Sequence, residues 1–128
     1  NSVGLITYMR TDAPTVSRDA AEEAQTFIRD TYGDEYLPAK PVVYRGRADA
    51  QAAHEAIRPT DVSRTPESLA GHLGVTEMKL YDLIWRRFVA SQMASAKIQQ
   101  RTVVVDSCPP PAQQHAYAFS ATTSEVAF

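Results

Sequence analysis

The 128-residue sequence lacks the residue patterns on which several common classes of small protein depend. It has a single cysteine, Cys108, so it cannot form an internal disulfide, and no C-x-x-C pair is present to hold zinc. Its five glycines are scattered singly, so no Gly-rich loop is available to bind phosphate. It has no G-x-S-x-G motif, and no serine has an evident base partner. These absences argue against a disulfide scaffold, a zinc module, a nucleotide-binding protein and a serine hydrolase.

The sequence also lacks an excess of charge and a long apolar run. Thirteen Lys and Arg stand against fifteen Asp and Glu, which gives a net charge of −2 and argues against coating nucleic acid by bulk charge. A local basic surface stays compatible with this balance. No run of eighteen apolar residues and no signal-peptide pattern occurs, so we expect no membrane span and a cytoplasmic location.

What the sequence does contain is enough apolar material, 44% of residues, for one core with several helices. Apolar spacing predicts a helix from about Ser17 to Gly33 and a longer one from Thr76 to about Met93. The longer helix is apolar around most of its circumference, which is typical of a central core helix. Residues 51–57 predict a short helix stopped by Pro59, and another short helix is expected to begin at residues 65–67.

Short β-rich segments flank these helices. Residues 3–9 predict a strand, and the β-branched run Thr102–Val105 predicts another. Residues 116–121 and 125–128 are typical of a further hairpin. The fold class expected from this pattern is mainly α (α+β), with a short N-terminal strand and a C-terminal β-rich segment.

The predicted N-terminal strand carries a tyrosine and an arginine two residues apart. Because a strand alternates its faces, Tyr8 and Arg10 should project to the same side. A guanidinium favours the phenolate form of a neighbouring tyrosine, and its planar fork can bind phosphate oxygens. The commoner interpretation of an isolated Y-x-R pattern is a packed tyrosine beside a solvated arginine.

A second polar group is predicted on the helix over residues 51–57. Gln51, His54 and Arg58 would share one helical face and could donate to phosphates or base edges, although a solvated face explains the same pattern. No D-x-D pair occurs, and the three histidines are widely separated, so the sequence predicts no metal site of its own.

Taken in order, these segments resemble bacterial type IA DNA topoisomerases. Residues 4–12, GLITYMRTD, resemble the active-site signature of that family, which usually continues with serine where this chain has Ala13. Further motifs occur in the family's order and spacing: Tyr32-Gly33, Tyr36-Leu37-Pro38, Ala53–Thr60, Lys79–Phe88 and Ala90–Met93. The resemblance covers roughly residues 3 to 97.

This resemblance implies a role for each residue that matches a motif. Tyr8 would be the catalytic nucleophile that forms a 5′-phosphotyrosine link to single-stranded DNA, and Arg10 would hold the scissile phosphate. His54 and Arg58 would bind DNA. Cleaving and religating one strand in this way relaxes negative supercoils without ATP.

The resemblance also implies partners outside this sequence. In the family, a Toprim domain with D-x-D-x-E carboxylates binds Mg²⁺, and none of its motifs occurs here. We therefore expect residues 1–98 to form the helical active-site tyrosine domain and residues 99–128 to begin the adjoining β-rich arch domain. The expected partners are single-stranded and negatively supercoiled DNA and the remaining topoisomerase domains. Alone, the chain is expected to neither cleave nor relax DNA.

Two other functional classes are compatible with the same residues. One is a non-catalytic module for single-stranded nucleic acid in which Tyr8 only stacks on a base. Its basic groove would consist of Arg10, Arg45, Arg47, His54 and Arg58. The other is a helical interaction domain without a nucleic-acid ligand.

Overall fold

The computed structural model describes residues 4–44, 54–107 and 117–127. The described chain divides into two units, Asn1–Ala94 and Ser95–Phe128. The first unit contains both helices, α1 (Arg18–Tyr32) and α2 (Val75–Gln92), and the second contains the strands β1 (Ile98–Asp106) and β2 (Ala118–Val126). The α+β fold class is therefore confirmed. Neither described helix is long and apolar enough to cross a membrane.

Helix α1 begins and ends where its sequence predicts. Ser17 precedes it in an extended conformation, and Gly33 ends it with φ at +112°, a left-handed value that favours glycine. The Gly33 N–H donates to the carbonyl of Arg29 at 3.1 Å and so satisfies one group of the last turn. Ala20, Ala24 and Ile28, each four residues from the next, form its buried face.

Helix α2 is confirmed in position, but the expectation that it is buried around most of its circumference is wrong. Its first turn begins at Gly74, whose N–H donates to the Glu77 carboxylate at 2.7 Å. Leu80 and Leu83 lie outside the buried face and are 52% and 65% exposed. The buried face contains five side chains: Tyr81, Trp85, Phe88, Val89 and Gln92.

The core of the first unit lies where α1 and α2 pack against the loop that precedes α2. The Trp85 indole N–H donates to the carbonyl of Val62 at 2.9 Å, and the Tyr81 hydroxyl donates to the carbonyl of Arg64 at 2.6 Å. The ring of Phe27 meets the Trp85 indole edge-on, with centroids 5.6 Å apart. Burial raises the pKa of the Tyr81 phenol. These contacts fix the loop that precedes α2 to the helices.

Three short segments of the first unit differ from the expected elements. Residues 54–57 are not helical, and residues 51–53 of that predicted helix lie outside the described residues. The predicted N-terminal strand is reduced to a single β-bridge between Ile6 and Pro59. The helix expected after Pro66 is one 3₁₀ turn, Glu67–Leu69. At residues 54–57, hydrogen bonds to distant segments take the place of a local helix.

The second unit is one antiparallel ribbon. In the pairing of β1 with β2, Ile98 lies opposite Val126 at one end and Asp106 lies opposite Ala118 at the other. Every residue of both strands is exposed. The hairpin expected within residues 116–128 is wrong, because residues 118–126 form one continuous strand that pairs with β1. Residues 116 and 128 lie outside the described part of the chain.

Candidate functional site

The site begins with the pairing of two segments that are distant in sequence. Residues 4–7 run antiparallel to residues 58–60, and the Thr60 N–H donates to the carbonyl of Leu5 at 3.0 Å. Tyr8 follows the first of these segments, and His54 precedes the second. The pairing therefore brings both residues to a common surface.

Thr7 ties the two segments together through its hydroxyl. Its Oγ1 donates to the carbonyl of Ala56 at 2.7 Å and accepts from the backbone N–H of Arg58 at 3.0 Å. The Thr7 N–H also donates to the carbonyl of Arg58 at 2.9 Å. Three hydrogen bonds of one residue therefore fix the backbone on both sides of the site.

Tyr8 projects from this framework into solvent. Its side chain is 74% exposed, and its ring centroid lies 5.9 Å from that of His54, with the planes tilted by 34°. Within residues 4–44, 54–107 and 117–127, the Tyr8 hydroxyl neither donates nor accepts a hydrogen bond. The phenol is therefore accessible to a ligand that approaches from solvent.

Arg10 lies beside Tyr8 because the backbone turns rather than because a strand alternates. The Arg10 N–H donates to the carbonyl of Tyr8 at 2.9 Å, which folds the chain at Met9. The Arg10 guanidinium binds Asp12 through two bonds, Nε to Oδ1 at 2.6 Å and Nη2 to Oδ2 at 3.1 Å. Hydrogen bonding and charge attraction from Asp12 raise the pKa of Arg10, and the hydrogen bond from Arg10 lowers the pKa of Asp12.

Tyr8, Arg10, Asp12 and His54 therefore form one surface cluster, in which Tyr8 and Asp12 are exposed and Arg10 and His54 are half-buried. His54 belongs to it through its ring contact with Tyr8 and through its charge, which makes a smaller contribution to the lowered pKa of Asp12. The structure thus brings together three of the residues expected from sequence: Tyr8, Arg10 and His54. The cluster offers a hydroxyl nucleophile, a guanidinium and an imidazole to one ligand.

Arg58 is placed differently from its expected position. The predicted helical face shared with His54 does not exist in residues 54–58. Two nitrogens of its guanidinium donate to Glu55 Oε2 at 3.0 and 2.7 Å, and a third donates to the carbonyl of Pro59 at 3.0 Å. Its side chain is 14% exposed, so its contacts within the protein stabilise the loop that carries His54. Gln51, the third member of that face, lies outside the described residues.

The described residues do not suit a magnesium ion. No group of three or more His, Cys, Asp or Glu side chains within them is close enough together to hold a metal. In the Tyr8 cluster the carboxylate of Asp12 is already bound by Arg10. Mg²⁺ bound in the manner of the type IA family would therefore need ligands from elsewhere.

Sequence reasoning missed Asp12 and Thr7 as members of the site. Asp12 carried a signal, because an acid two residues after an arginine can reach its guanidinium across a turn. Thr7 carried none, because its two hydroxyl partners lie about fifty positions away in sequence.

Known proteins are similar to this chain along most of its length. The family model for DNA topoisomerase matches residues 1–128. DNA topoisomerase 1 of Pasteurella multocida is 50% identical over 102 residues, which cover 80% of this chain and 12% of that protein. DNA topoisomerase 1 of Treponema pallidum is 44% identical over 124 residues, which cover 97% of this chain and 16% of that protein.

A solved structure shares the fold as well as the sequence. Full-length topoisomerase I from Thermotoga maritima superposes with a TM-score of 0.75 and 37% identity, over 98% of this chain and 18% of that one. The chain belongs to the DNA topoisomerase family, whose bacterial members are isomerases that act on DNA. The resemblance to bacterial type IA enzymes is thereby confirmed, and the chain spans less than a fifth of the length of these relatives.

Proposed function

We propose that this chain supplies the nucleophile of a type IA topoisomerase reaction. The Tyr8 oxygen attacks a backbone phosphorus of single-stranded DNA, an O–P bond forms, and the bond from phosphorus to the 3′ oxygen breaks. The phenol loses its proton, and the leaving 3′ oxygen gains one. The strand is then held as a 5′-phosphotyrosine ester, and the reverse attack by the 3′-hydroxyl reseals it without ATP. Passage of a second strand through the break relaxes negative supercoils.

The observation that carries this proposal is the exposed phenol of Tyr8, whose ring contacts His54 and whose backbone carbonyl accepts from the N–H of Arg10. Arg10 would bind the non-bridging oxygens of the phosphate and stabilise the charge that develops on them. His54 would contact the DNA next to the phenol. All three side chains are accessible without rearrangement of the core, which lies between α1 and α2.

The reaction needs more than this chain. In the type IA family that the chain resembles, carboxylates of a Toprim domain hold Mg²⁺, which would supply positive charge near the phosphate when bound. The proposal therefore includes that the 128-residue chain alone forms no covalent DNA adduct and does not relax supercoiled DNA. Its partners are single-stranded DNA, negatively supercoiled DNA and the remaining domains of the enzyme in the bacterial cytoplasm.

The ribbon of β1 and β2 supports a further part of the proposal, that residues 99–128 belong to an adjoining β-rich domain. An isolated two-stranded ribbon is marginally stable in water, and apolar side chains on both strands of this one are exposed. Three of them, Val103, Val105 and Phe119, lie on one face of the ribbon. Additional strands or a second layer would cover that face.

Complementation tests the proposal. The chain is mixed with the remaining domains of a type IA enzyme, Mg²⁺ and a labelled single-stranded oligonucleotide, and the covalent adduct is measured after denaturation. Tyr8→Phe is expected to abolish the adduct, whereas Tyr117→Phe, at another exposed tyrosine, is expected to leave it unchanged. An adduct that persists in Tyr8→Phe would contradict the proposal. Oligonucleotide binding with no adduct in any variant would favour a non-catalytic binding module.

A further inference from the structure

The guanidinium fork that a phosphate would need is already filled. Arg10 presents two nitrogens in one plane, and both contact the two oxygens of the Asp12 carboxylate, at 2.6 and 3.1 Å. Two oxygens of a phosphodiester would bind the same two nitrogens in the same bidentate manner. Asp12 therefore occupies the position of the ligand proposed for Arg10.

We infer that Asp12 is an internal competitor for the DNA phosphate at Arg10. It is a positioning residue: it orients the guanidinium beside Tyr8 while DNA is absent and gives up the fork when a phosphodiester arrives. This inference rests on the proposed function, because it assumes that Arg10 binds the phosphate that Tyr8 attacks.

The exposure of the pair makes this exchange feasible. The side chains of Arg10 and Asp12 are 36% and 55% exposed, and ion pairs in contact with water contribute little net stability. A phosphate can therefore displace the carboxylate at low cost. Among the described residues, the charged or titratable neighbours of the pair are Tyr8 and His54.

The exchange has a consequence for how strongly the DNA is held. When a phosphate binds the Arg10 guanidinium, a counterion leaves the phosphate, but the freed Asp12 carboxylate next to it attracts another cation. This one phosphate contact therefore yields little net release of counterions. The grip of Arg10 on the strand is then weaker than that of an unpaired arginine. A weak grip suits a site that must release the resealed strand.

Binding of a fluorescein-labelled oligothymidine to the full 128-residue chain tests this inference by fluorescence anisotropy over a range of salt concentrations. Asp12→Asn is expected to tighten binding by about two- to five-fold, the range that exposed ion pairs span. The slope of log K against log salt should become steeper by about 0.7, the value for one added phosphate contact on a single strand.

A matched control separates this effect from a change in net charge. Arg18 binds Glu22 on the surface of α1 through one bond with the same Nε to oxygen distance, 2.6 Å, so Glu22→Gln removes an equal charge from an ion pair outside the Tyr8 cluster. It is expected to change the affinity less than Asp12→Asn does and to leave the slope unchanged. Asp12→Ala should tighten binding as Asp12→Asn does. In the double variant Arg10→Ala with Asp12→Asn, this gain in affinity should be lost.

Three results would overturn the inference: equal affinities of Asp12→Asn and Glu22→Gln, a gain that survives Arg10→Ala, or no binding of the oligonucleotide by any variant. None of these results depends on adduct formation. Loss of the proposed function would instead appear as an adduct in Tyr8→Phe, so the two failures are distinguishable. Circular dichroism of each variant verifies that the fold is retained.

Discussion

Replacing Thr7 by valine tests whether one hydroxyl holds the segment that carries Tyr8 in place. Valine has nearly the shape of threonine, so the change removes the hydroxyl with little change in packing. It leaves the carbonyl of Ala56 and the N–H of Arg58 without the Oγ1 atom that bonds both of them, at 2.7 and 3.0 Å. Each lost bond to a partly buried group costs roughly 1 kcal/mol, so we expect a loss of about 2 kcal/mol in the free energy of unfolding.

Urea unfolding followed by the fluorescence of Trp85, the single tryptophan, measures this loss. Thr26→Val is the matched control, because the Thr26 hydroxyl donates to the carbonyl of Glu22 at 3.0 Å on the exposed side of α1. That variant should lie within about 0.5 kcal/mol of the wild type. Equal stability of the two variants would refute the role assigned to Thr7. In the complementation assay, Thr7→Val should also reduce the adduct, because the contact of Tyr8 with His54 depends on this pairing.

Three further substitutions test the core of the first unit. Trp85→Phe removes the indole N–H that donates to the buried carbonyl of Val62 and reduces packing, so thermal unfolding should show a loss of about 2–4 kcal/mol. Burial raises the pKa of Tyr81. The stability that its neutral phenol contributes is therefore fully present below about pH 10 and is lost as pH rises through the raised pKa. Tyr81→Phe should lessen this alkaline loss of stability, which unfolding measurements from about pH 9 upwards would detect. Gln92 is fully buried and its Oε1 has no partner among the described residues, so Gln92→Met should cost less than about 1 kcal/mol, and a larger loss in urea unfolding would contradict this reading.

The helices were predictable because their signals are local. A residue suited to an N-cap, apolar side chains at helical spacing and Gly33 at the end together define α1, and each acts within a few residues. At residues 51–57, by contrast, the local signals for a helix do not decide the structure alone. In the structure, the N–H of Ala56 donates to the carbonyl of Thr15 and its carbonyl accepts from Thr7, so contacts with distant segments override local propensity at residues 54–57.

The candidate site was predictable only in part, for the same reason. Tyr8 and Arg10 stand out in sequence because they are close together and chemically complementary. The proximity of His54 to Tyr8 came only from the family resemblance, since no local pattern links the two residues. The outward face of α2, with Leu80 and Leu83, was mistaken for core because an apolar residue is compatible with an intramolecular core and with a surface that another domain covers.

The hydrogen bonds that hold the segment carrying Tyr8 also determine the order in which the site can form. They join residues separated by 49 to 56 positions, such as Thr7 to Ala56 and Thr60 to Gly4. Closing so long a loop costs entropy that only the completed pairing offsets. During synthesis, Tyr8 can acquire these neighbours only after the segment up to Thr60 has left the ribosome. Until then, the Tyr8 side chain lacks the surroundings that the folded chain gives it.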